Sequence, residues 1–457
     1  MVVTAAAPEA DAMIEPLREV LTGRVVTPED PDWESVRTAW NLTVDQRPLA
    51  VVEAAGPSDV EHTVTFAAAH GLKVAAQAGG HGATRSLDQT IVLRTNALDD
   101  IWVDSHARIA RVGAGVRWGA LQTALDGTGL TGLLGSTGDV SVVGYCTNGG
   151  LSWFSRPYGS GAASLRAAEI VDASGSRRWI DDSTEPDLMW ALRGGGGNFA
   201  VVTSVEVELF LAPEITGGRL MFPIDQAEAV LTAYKQATES AAGQVTLWAY
   251  LTHFPDAPFM PEPIRGQSFC MIDGATPFDP AALEAALAPI RAAGTAVVDS
   301  VGPQTPGSIA EVTQEPVEPT SFTIETVTFD ELTPELIGVL LKYAGQPSLI
   351  FQVQLRHLRA SQEVGHPGVA AADPAAKYAL SALAILPAPE LEQPARQALL
   401  ALKDAVAPWH AGDLIPSMLG ADGTLQDVFS EGDLARLREI KQQVDPHGLL
   451  VGNYPLA

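Results

Sequence analysis

Hydrophobic and polar positions alternate with two different periods along this chain, and the change of period marks its organisation. From Pro57 the apolar positions Val60, Val64 and Ala67 to Ala68 recur at helical spacing. Ser58 and Glu61 suit a capping box at the start, and Gly71 suits the stop. Leu72 to Gln77 reads as a short buried strand that runs into a glycine-rich loop. Ile91 to Arg94, Ile101 to Val103 and Arg108 to Val112 follow as strands, the last two as a hairpin across Ser105-His106. Trp118 to Leu125 is helical and stops at Gly127 and Gly129. Ala168 to Ile180 folds back on itself at Ala173-Ser174-Gly175.

After Pro213 the texture changes. Long strand patterns at Val245 to Leu251, Phe322 to Phe329, Leu349 to Leu358 and Tyr378 to Ile385 are separated by amphipathic helices. These helices are Gln226 to Ser240, Ala281 to Ala293 and Leu391 to Ala405. Few, long strands spaced by helices predict an antiparallel sheet covered by helices on one face, an α+β arrangement. Residues 255–268 and 302–320 read as loops, and a last helix, Leu434 to Gln443, hands over to the tail Leu449 to Tyr454.

Composition narrows the function classes. With 457 residues, 46% hydrophobic and 18% charged, the chain can bury a large core in two packed domains. Its 28 basic against 55 acidic side chains give a net charge of −27, which repels phosphate backbones and anionic lipid and argues against nucleic-acid or membrane partners. Two cysteines about 120 positions apart form neither a disulfide framework nor a zinc pattern and suit a reducing compartment. The first residues lack a basic stretch followed by an apolar one, and no apolar run reaches membrane-spanning length, so the cytoplasm is the expected location. Oligomeric state is open, a homodimer included.

Chemistry concentrates in three glycine clusters: Gly79-Gly80-His81-Gly82, Gly144 to Gly150, and Gly194 to Gly197. Glycines in series permit positive φ and close backbone approach, so their amides can converge on an anion such as a pyrophosphate. Gly113-Ala114-Gly115 with Gly119 mimics a dinucleotide fingerprint, but its spacing is one residue too long. It reads better as a tight turn before the Trp118 helix. His81 stands between two glycines, where no packed core accounts for it. Its imidazole can serve as a base, a metal ligand or a covalent attachment point, and no second ligand at metal spacing accompanies it, so no metal is expected.

The segments Gln77 to Ala83, Gly135 to Val140, Gly144 to Trp153, Arg156 to Gly159, Trp190 to Thr203 and the tail Asp445-Pro446 with Asn453-Tyr454 together resemble one family. It is the bacterial berberine bridge enzyme-like branch of the FAD-linked oxidases in the vanillyl-alcohol oxidase superfamily. The resemblance implies the two-domain FAD-linked oxidase fold, with an FAD-binding domain from residues 1–212 and 410–457 and a substrate-binding domain from 213–409. It implies a covalent bond from His81 to the flavin 8α-methyl, which makes the flavin more oxidising. Gly79, Gly80, Gly82, Ala83, Ser86 and Leu87 would cradle the pyrophosphate. Ser136, Thr137, Asp139, Val140, Gly144, Tyr145, Cys146, Asn148, Gly149 and Gly150 would run along the flavin, with Val202 beside it and Asn453 and Tyr454 near the ring.

The chain departs from that pattern in places. Relatives with a second flavin link carry a cysteine where Thr137 stands, so the flavin is expected to be singly attached and Cys146 to be a small packing residue. Asn148 replaces the first glycine of the usual triplet. In the family it resembles, the position of Val140 controls oxygen access and valine goes with oxidases, so the resemblance implies O2 as acceptor. The tyrosine that serves many relatives as base becomes Ile415. Gln352, Gln354 and Arg356 share one strand face and are candidate substrate contacts, with Val353, Leu355 and His357 on the other face and Tyr378 as an outside candidate for the base. The implied reaction passes hydride from a small organic substrate (a secondary metabolite, alcohol, amine or sugar) to flavin N5, and O2 then yields hydrogen peroxide. A dehydrogenase using another acceptor and a non-redox flavoprotein are the alternatives.

Overall fold

The structure, a computed structural model, describes residues 7–258, 260–358, 368–371, 375–412, 414–420 and 422–456. The strands sort into one largely parallel sheet and separate antiparallel sheets. In the first, Ala50–Glu53, Thr90–Arg94 and Lys73–Gln77 run parallel, with Arg24–Val26 added antiparallel at one edge. Every residue of Thr90–Arg94 is buried, as befits the middle strand of a parallel sheet. The crossover helix Pro57–His70 ends at Gly71, whose φ of 66° is the left-handed cap the sequence predicts. The expected capping box is absent. Pro57 takes the first helical position, Gly56 becomes the N-cap, and the carboxylate of Asp59 instead accepts the amides of Thr22, Gly23 and Ala55, each at 2.8 Å.

Both predicted hairpins join a second, antiparallel sheet. Its order is Ile101–Asp104, Ile109–Gly113, Val201–Glu208, Leu165–Val171, Arg177–Asp181. The chain end returns here. The helix Glu431–Val444 buries Leu434, Leu437 and Ile440 with Leu188 and Trp190, and Leu449 and Val451 bracket Val74 through backbone hydrogen bonds of 2.8 and 2.9 Å.

Between these segments lies an antiparallel sheet in the order Val298–Asp299, Thr216–Pro223, Ser268–Thr276, Thr246–His253, Gln352–His357, Tyr378–Ile385, Phe322–Phe329. One face packs on the helices Ala227–Ser240, Pro280–Ala292, Pro334–Ala344 and Glu392–Val406. The opposite face, through Met221, Trp248, Tyr250 and Met271, merges with the core of the first unit. Trp153 and Trp248 stack across that junction, 3.7 Å between ring centroids.

Two of these strands escape a hydrophobicity reading. Thr216–Pro223 contains Gly217, Gly218 and Arg219, and Ser268–Thr276 contains Asp273. Their polarity is internal. Arg219 and Asp273 pair in register across the two strands and form a buried bidentate ion pair with both contacts at 2.7 Å. Among the described residues no helix is long and apolar enough to cross a membrane.

Candidate functional site

The strand Lys73–Gln77 delivers the chain into the 79–89 loop, where the backbone is unusually contorted. Gly80 has φ of 79°, and a Cβ there would lie 2.9 Å from that of Ala39. A Cβ on Gly82 would stand 2.8 Å from the Asn453 amide nitrogen. Leu87 adopts φ of 60°, a conformation costly for a branched side chain, and is held there by burial among Val51, Ala75 and Val92. Among the described residues the amides of Gly80, His81 and Gly82 donate to no protein acceptor. A run of open amides beside a glycine turn suits an anionic group. Thr84 binds the tail, its hydroxyl donating to the Asn453 carbonyl at 2.7 Å, while Ser86 turns outward to Asp88.

His81 is the focus of this loop. Its Nε2–H donates to an Asp139 carboxylate oxygen at 3.0 Å, and the other oxygen of Asp139 pairs with Arg117. Trp40 stacks on the imidazole at 4.3 Å and 18°. Burial pulls the His81 pKa below its ordinary value, and the Asp139 carboxylate opposes that shift only in part, so the ring is neutral at pH 7. With Nε2 carrying the proton, Nδ1 keeps its lone pair. Alongside runs a cleft of about 280 Å³ whose walls include Thr38, Trp40, Gly79, Arg94, Asn96, Arg117 and Asp139. Arg94 builds one wall by donating to the Gln77 side chain and to the carbonyls of Val36, Arg37 and Thr38.

The 135–150 segment is partly lining and partly scaffold. The Thr137 hydroxyl accepts the Asp139 amide at 3.2 Å, and the Val140 carbonyl accepts that of Trp118 at 3.0 Å, so both residues hold Asp139 in place. Ser141 caps the helix Val142–Thr147 by accepting the amide of Gly144. Tyr145 belongs to the scaffold. Its ring fills the space that a Cβ on Gly150 or Gly161 would enter, at 2.4 and 2.5 Å, which explains the glycines at those positions. Cys146 is 0% exposed, and burial pushes its thiol up to about 12, which removes the thiolate a second flavin link requires. Asn148 is the C-cap of that helix, its amide donating to the Gly144 carbonyl at 2.8 Å, and this accounts for the broken glycine triplet. Gly149 and Gly150 follow with φ of 93° and 77°.

Val202 pairs with Ile170 and buries its side chain in the core. Tyr454 ties the tail to the 416–420 turn, donating to the Leu419 and Gly420 carbonyls at 2.8 and 3.0 Å. Just before that turn, Ile415 packs with Leu151, Leu358, Ala379 and Met418 in an apolar cluster, and its Cγ2 would be 3.1 Å from a Cβ on Gly149.

The alternation on the strand Gln352–His357 sorts as the sequence predicts, and the polar face turns inward to the first unit rather than to solvent. Gln352 donates to Thr252 at 2.8 Å, Gln354 to Gln352 at 2.6 Å, and Arg356 to Gln354 at 2.9 Å and to the Ser136 hydroxyl at 3.2 Å. Tyr378 is a correction. It points to the helical side of the sheet, where its hydroxyl shares a 2.6 Å hydrogen bond with Thr238 and its ring stacks on His357. Residue 378 pairs directly with 357, so both side chains share the face that carries Val353 and Leu355. A base for a substrate on the opposite face cannot sit there.

Trp40, Arg94 and Arg117 escape the sequence reading, and Asn198 enters it only as part of the Trp190 to Thr203 motif, without a role. Asn198 bridges the Gly195 and Tyr454 carbonyls and accepts the Gly452 amide. Arg94 also leaves a trace in sequence, as a cation ending a strand that is otherwise largely apolar.

Comparison with known proteins agrees with this geometry. Residues 48–181 match the family described as FAD binding domain. (R)-6-hydroxynicotine oxidase of Paenarthrobacter nicotinovorans is 32% identical over 195 residues, 42% of this chain and 43% of the relative. The chain thus spans less than half the length of curated relatives it matches, as the 35% and 49% coverage of two others also shows. A berberine bridge enzyme-like protein of Physcomitrella patens superposes with a TM-score of 0.83 at 16% identity, covering 97% of this chain and 99% of its own. A glucooligosaccharide oxidase of Acremonium strictum, described as carrying 6-S-cysteinyl, 8α-N1-histidyl FAD, superposes with a TM-score of 0.80 at 20% identity, covering 98% of each chain. The chain therefore carries an FAD-binding domain and has the two-domain fold of the FAD-linked oxidases.

Proposed function

We propose that this chain, with its FAD-binding domain, bears FAD covalently on His81 and oxidises a small organic molecule with O2 as acceptor. The observation that carries the reading is the His81–Asp139 pair, which leaves a neutral ring with Nδ1 free to form a bond. Bound FAD supplies a hydride acceptor at N5. The residues of the chain supply the rest. Open amides at 80–82 meet the pyrophosphate, Asp139 orients His81, and the Gln352–Gln354–Arg356 face holds the substrate against the flavin unit. Positioning dominates such a site, because proton removal and hydride loss from adjacent atoms assist each other only in the right geometry. Substrate classes consistent with the reading are secondary metabolites, alcohols, amines and sugars. The division into 1–212 with 410–457 and 213–409 belongs to the same proposal. Two free, buried cysteines support a reducing compartment such as the cytoplasm.

The test is a visible spectrum before and after acid precipitation, with His81→Ala as control. Yellow colour in the wild-type pellet and in the variant's supernatant establishes attachment at His81. Colourless protein, or flavin released freely by the wild type, overturns it. Peroxide release on substrate addition then separates an oxidase from a dehydrogenase using another acceptor. One observation favours a second reading, a flavoprotein that binds a metabolite without redox turnover: the apolar cluster around Ile415 offers no proton acceptor. That reading requires a flavin spectrum that stays unbleached when the ligand is added without air.

A further inference from the structure

The polar face of the large sheet holds a cation that bonds only neutral acceptors. Arg356 is part-buried and lies over the ring of the fully buried Trp248, 4.6 Å from its centroid. Its Nε and Nη2 donate to the Gln354 carboxamide oxygen at 3.3 and 2.9 Å, and Nη2 also donates to the Ser136 hydroxyl at 3.2 Å. These acceptors are all neutral. Among the described residues no carboxylate lies within ion-pair distance of Arg356, and its Nη1 donates to nothing. The nearby Asp273 is committed to Arg219 through two hydrogen bonds of 2.7 Å. Asp273 and Glu315 share this polar cluster with Arg219 and Arg356, so the cluster is not short of negative charge, but neither carboxylate bonds Arg356 directly and its Nη1 edge is left for a ligand.

The arrangement around Arg356 is also directional. Thr252, Gln352 and Gln354 form a relay in which each amide hydrogen is taken by the preceding oxygen, and the relay ends with the Gln354 oxygen facing Arg356. The amide orientations are therefore set, since a flipped Gln354 would present NH2 to a donor-only guanidinium. Trp248 below and Ser136 beside it fix the plane of the fork. Ser136 belongs to the 135–140 segment, so the open Nη1 lies where the sheet meets the flavin unit.

We propose that Arg356 is the anchor for a carboxylate on the molecule this protein binds, taken by the open Nη1 edge of the guanidinium. A carboxylate matches that planar edge in charge and geometry, and a hydroxyl or amine does not. The proposal rests on the reading that this face is the substrate face. It narrows the substrate to a carboxylic acid and makes Gln352 and Gln354 positioning residues for Arg356.

Equilibrium dialysis of the holoprotein against matched probes tests it: acetate, benzoate and 4-phenylbutyrate, each beside its neutral amide. At least one acid is expected to bind ten-fold or more tighter than its amide. Arg356→Met removes that preference, Arg356→Lys keeps part of it, and Gln354→Leu weakens it. Thermal unfolding of each variant shows that the fold survives, and Arg356→Lys carries the test should Arg356→Met fail to fold. No acid–amide preference in the wild type, or an undiminished preference in folded Arg356→Met, overturns the proposal. Dialysis does not depend on how flavin is attached. A protein that prefers acids through Arg356 but releases its flavin in acid refutes attachment at His81 and leaves the carboxylate anchor standing.

Discussion

Asp139→Asn isolates what Asp139 does for His81. The native carboxylate accepts the Nε2 proton at 3.0 Å and pairs with Arg117 through its other oxygen. Arg117 can only donate, so the asparagine oxygen must turn to Arg117 and its NH2 then faces Nε2. The imidazole is forced to accept there and to move its proton to Nδ1, the nitrogen that has to be free. Ionisation does not confuse the experiment. Burial already holds the His81 pKa below its usual value, and loss of the Asp139 charge lowers it further, so the ring is neutral at pH 7 in both proteins. A hydrogen bond to a charged acceptor contributes about 1.5–3 kcal/mol. The two side chains are 22% and 13% exposed, and discounting for solvent leaves about 1–2 kcal/mol. That corresponds to flavin attachment slower by about 5- to 30-fold. The assay adds FAD to flavin-free protein and follows the acid-precipitable fluorescence with time. Asp139→Ala, which imposes neither tautomer, should fall between the wild type and Asp139→Asn. Attachment at the wild-type rate in Asp139→Asn, or a defect no larger than that of Asp139→Ala, would refute the tautomer argument.

Other outcomes follow from the same geometry. Cys146→Ala should leave acid-stable flavin unchanged, and the wild-type thiol should react with a thiol reagent only after unfolding, because burial holds it protonated up to about 12. Asp273→Ala strands the Arg219 charge inside the sheet and should lower unfolding free energy by about 3–5 kcal/mol, read from denaturant midpoints. His81 and His357 both have pKa values pulled below 6.5, chiefly by burial, with the Arg156 charge adding to the shift at His357. The unfolded chain then binds more protons below pH 6.5, so stability should be full above that pH and decline as pH falls through the folded-state values. Denaturant curves at pH 7.5 and 5.5 check this, and His357→Gln should shrink the difference.

How much of this was legible beforehand depended on whether a residue's role is local. The hairpins at 101–113 and 165–181 and the strands Phe322–Phe329 and Tyr378–Ile385 were readable because alternation and turn residues are short-range signals. The glycine loop at His81 was readable because positive φ at Gly80 and close approach at Gly82 require that residue type whatever lies beyond. The strands carrying Arg219 and Asp273 were not, since each looks polar until the other is placed opposite it. The alternation of Gln352, Gln354 and Arg356 was visible too, but which side they face depends on a flavin unit built from distant sequence.

By itself the sequence determined the periodic elements, the glycine turns, the acidic surface and, through its motifs, the resemblance to FAD-linked oxidases. Only the tertiary structure decided that Tyr378 lies behind the sheet, that Tyr145 is core, and that Trp40, Asp139 and Arg117 converge on His81. The physical reason is the same in each case. A side chain's chemistry is set by neighbours that supply charge, donors or exclusion of water, and such neighbours can be far along the chain, 41 positions for Trp40 against His81 and 140 for Thr238 against Tyr378.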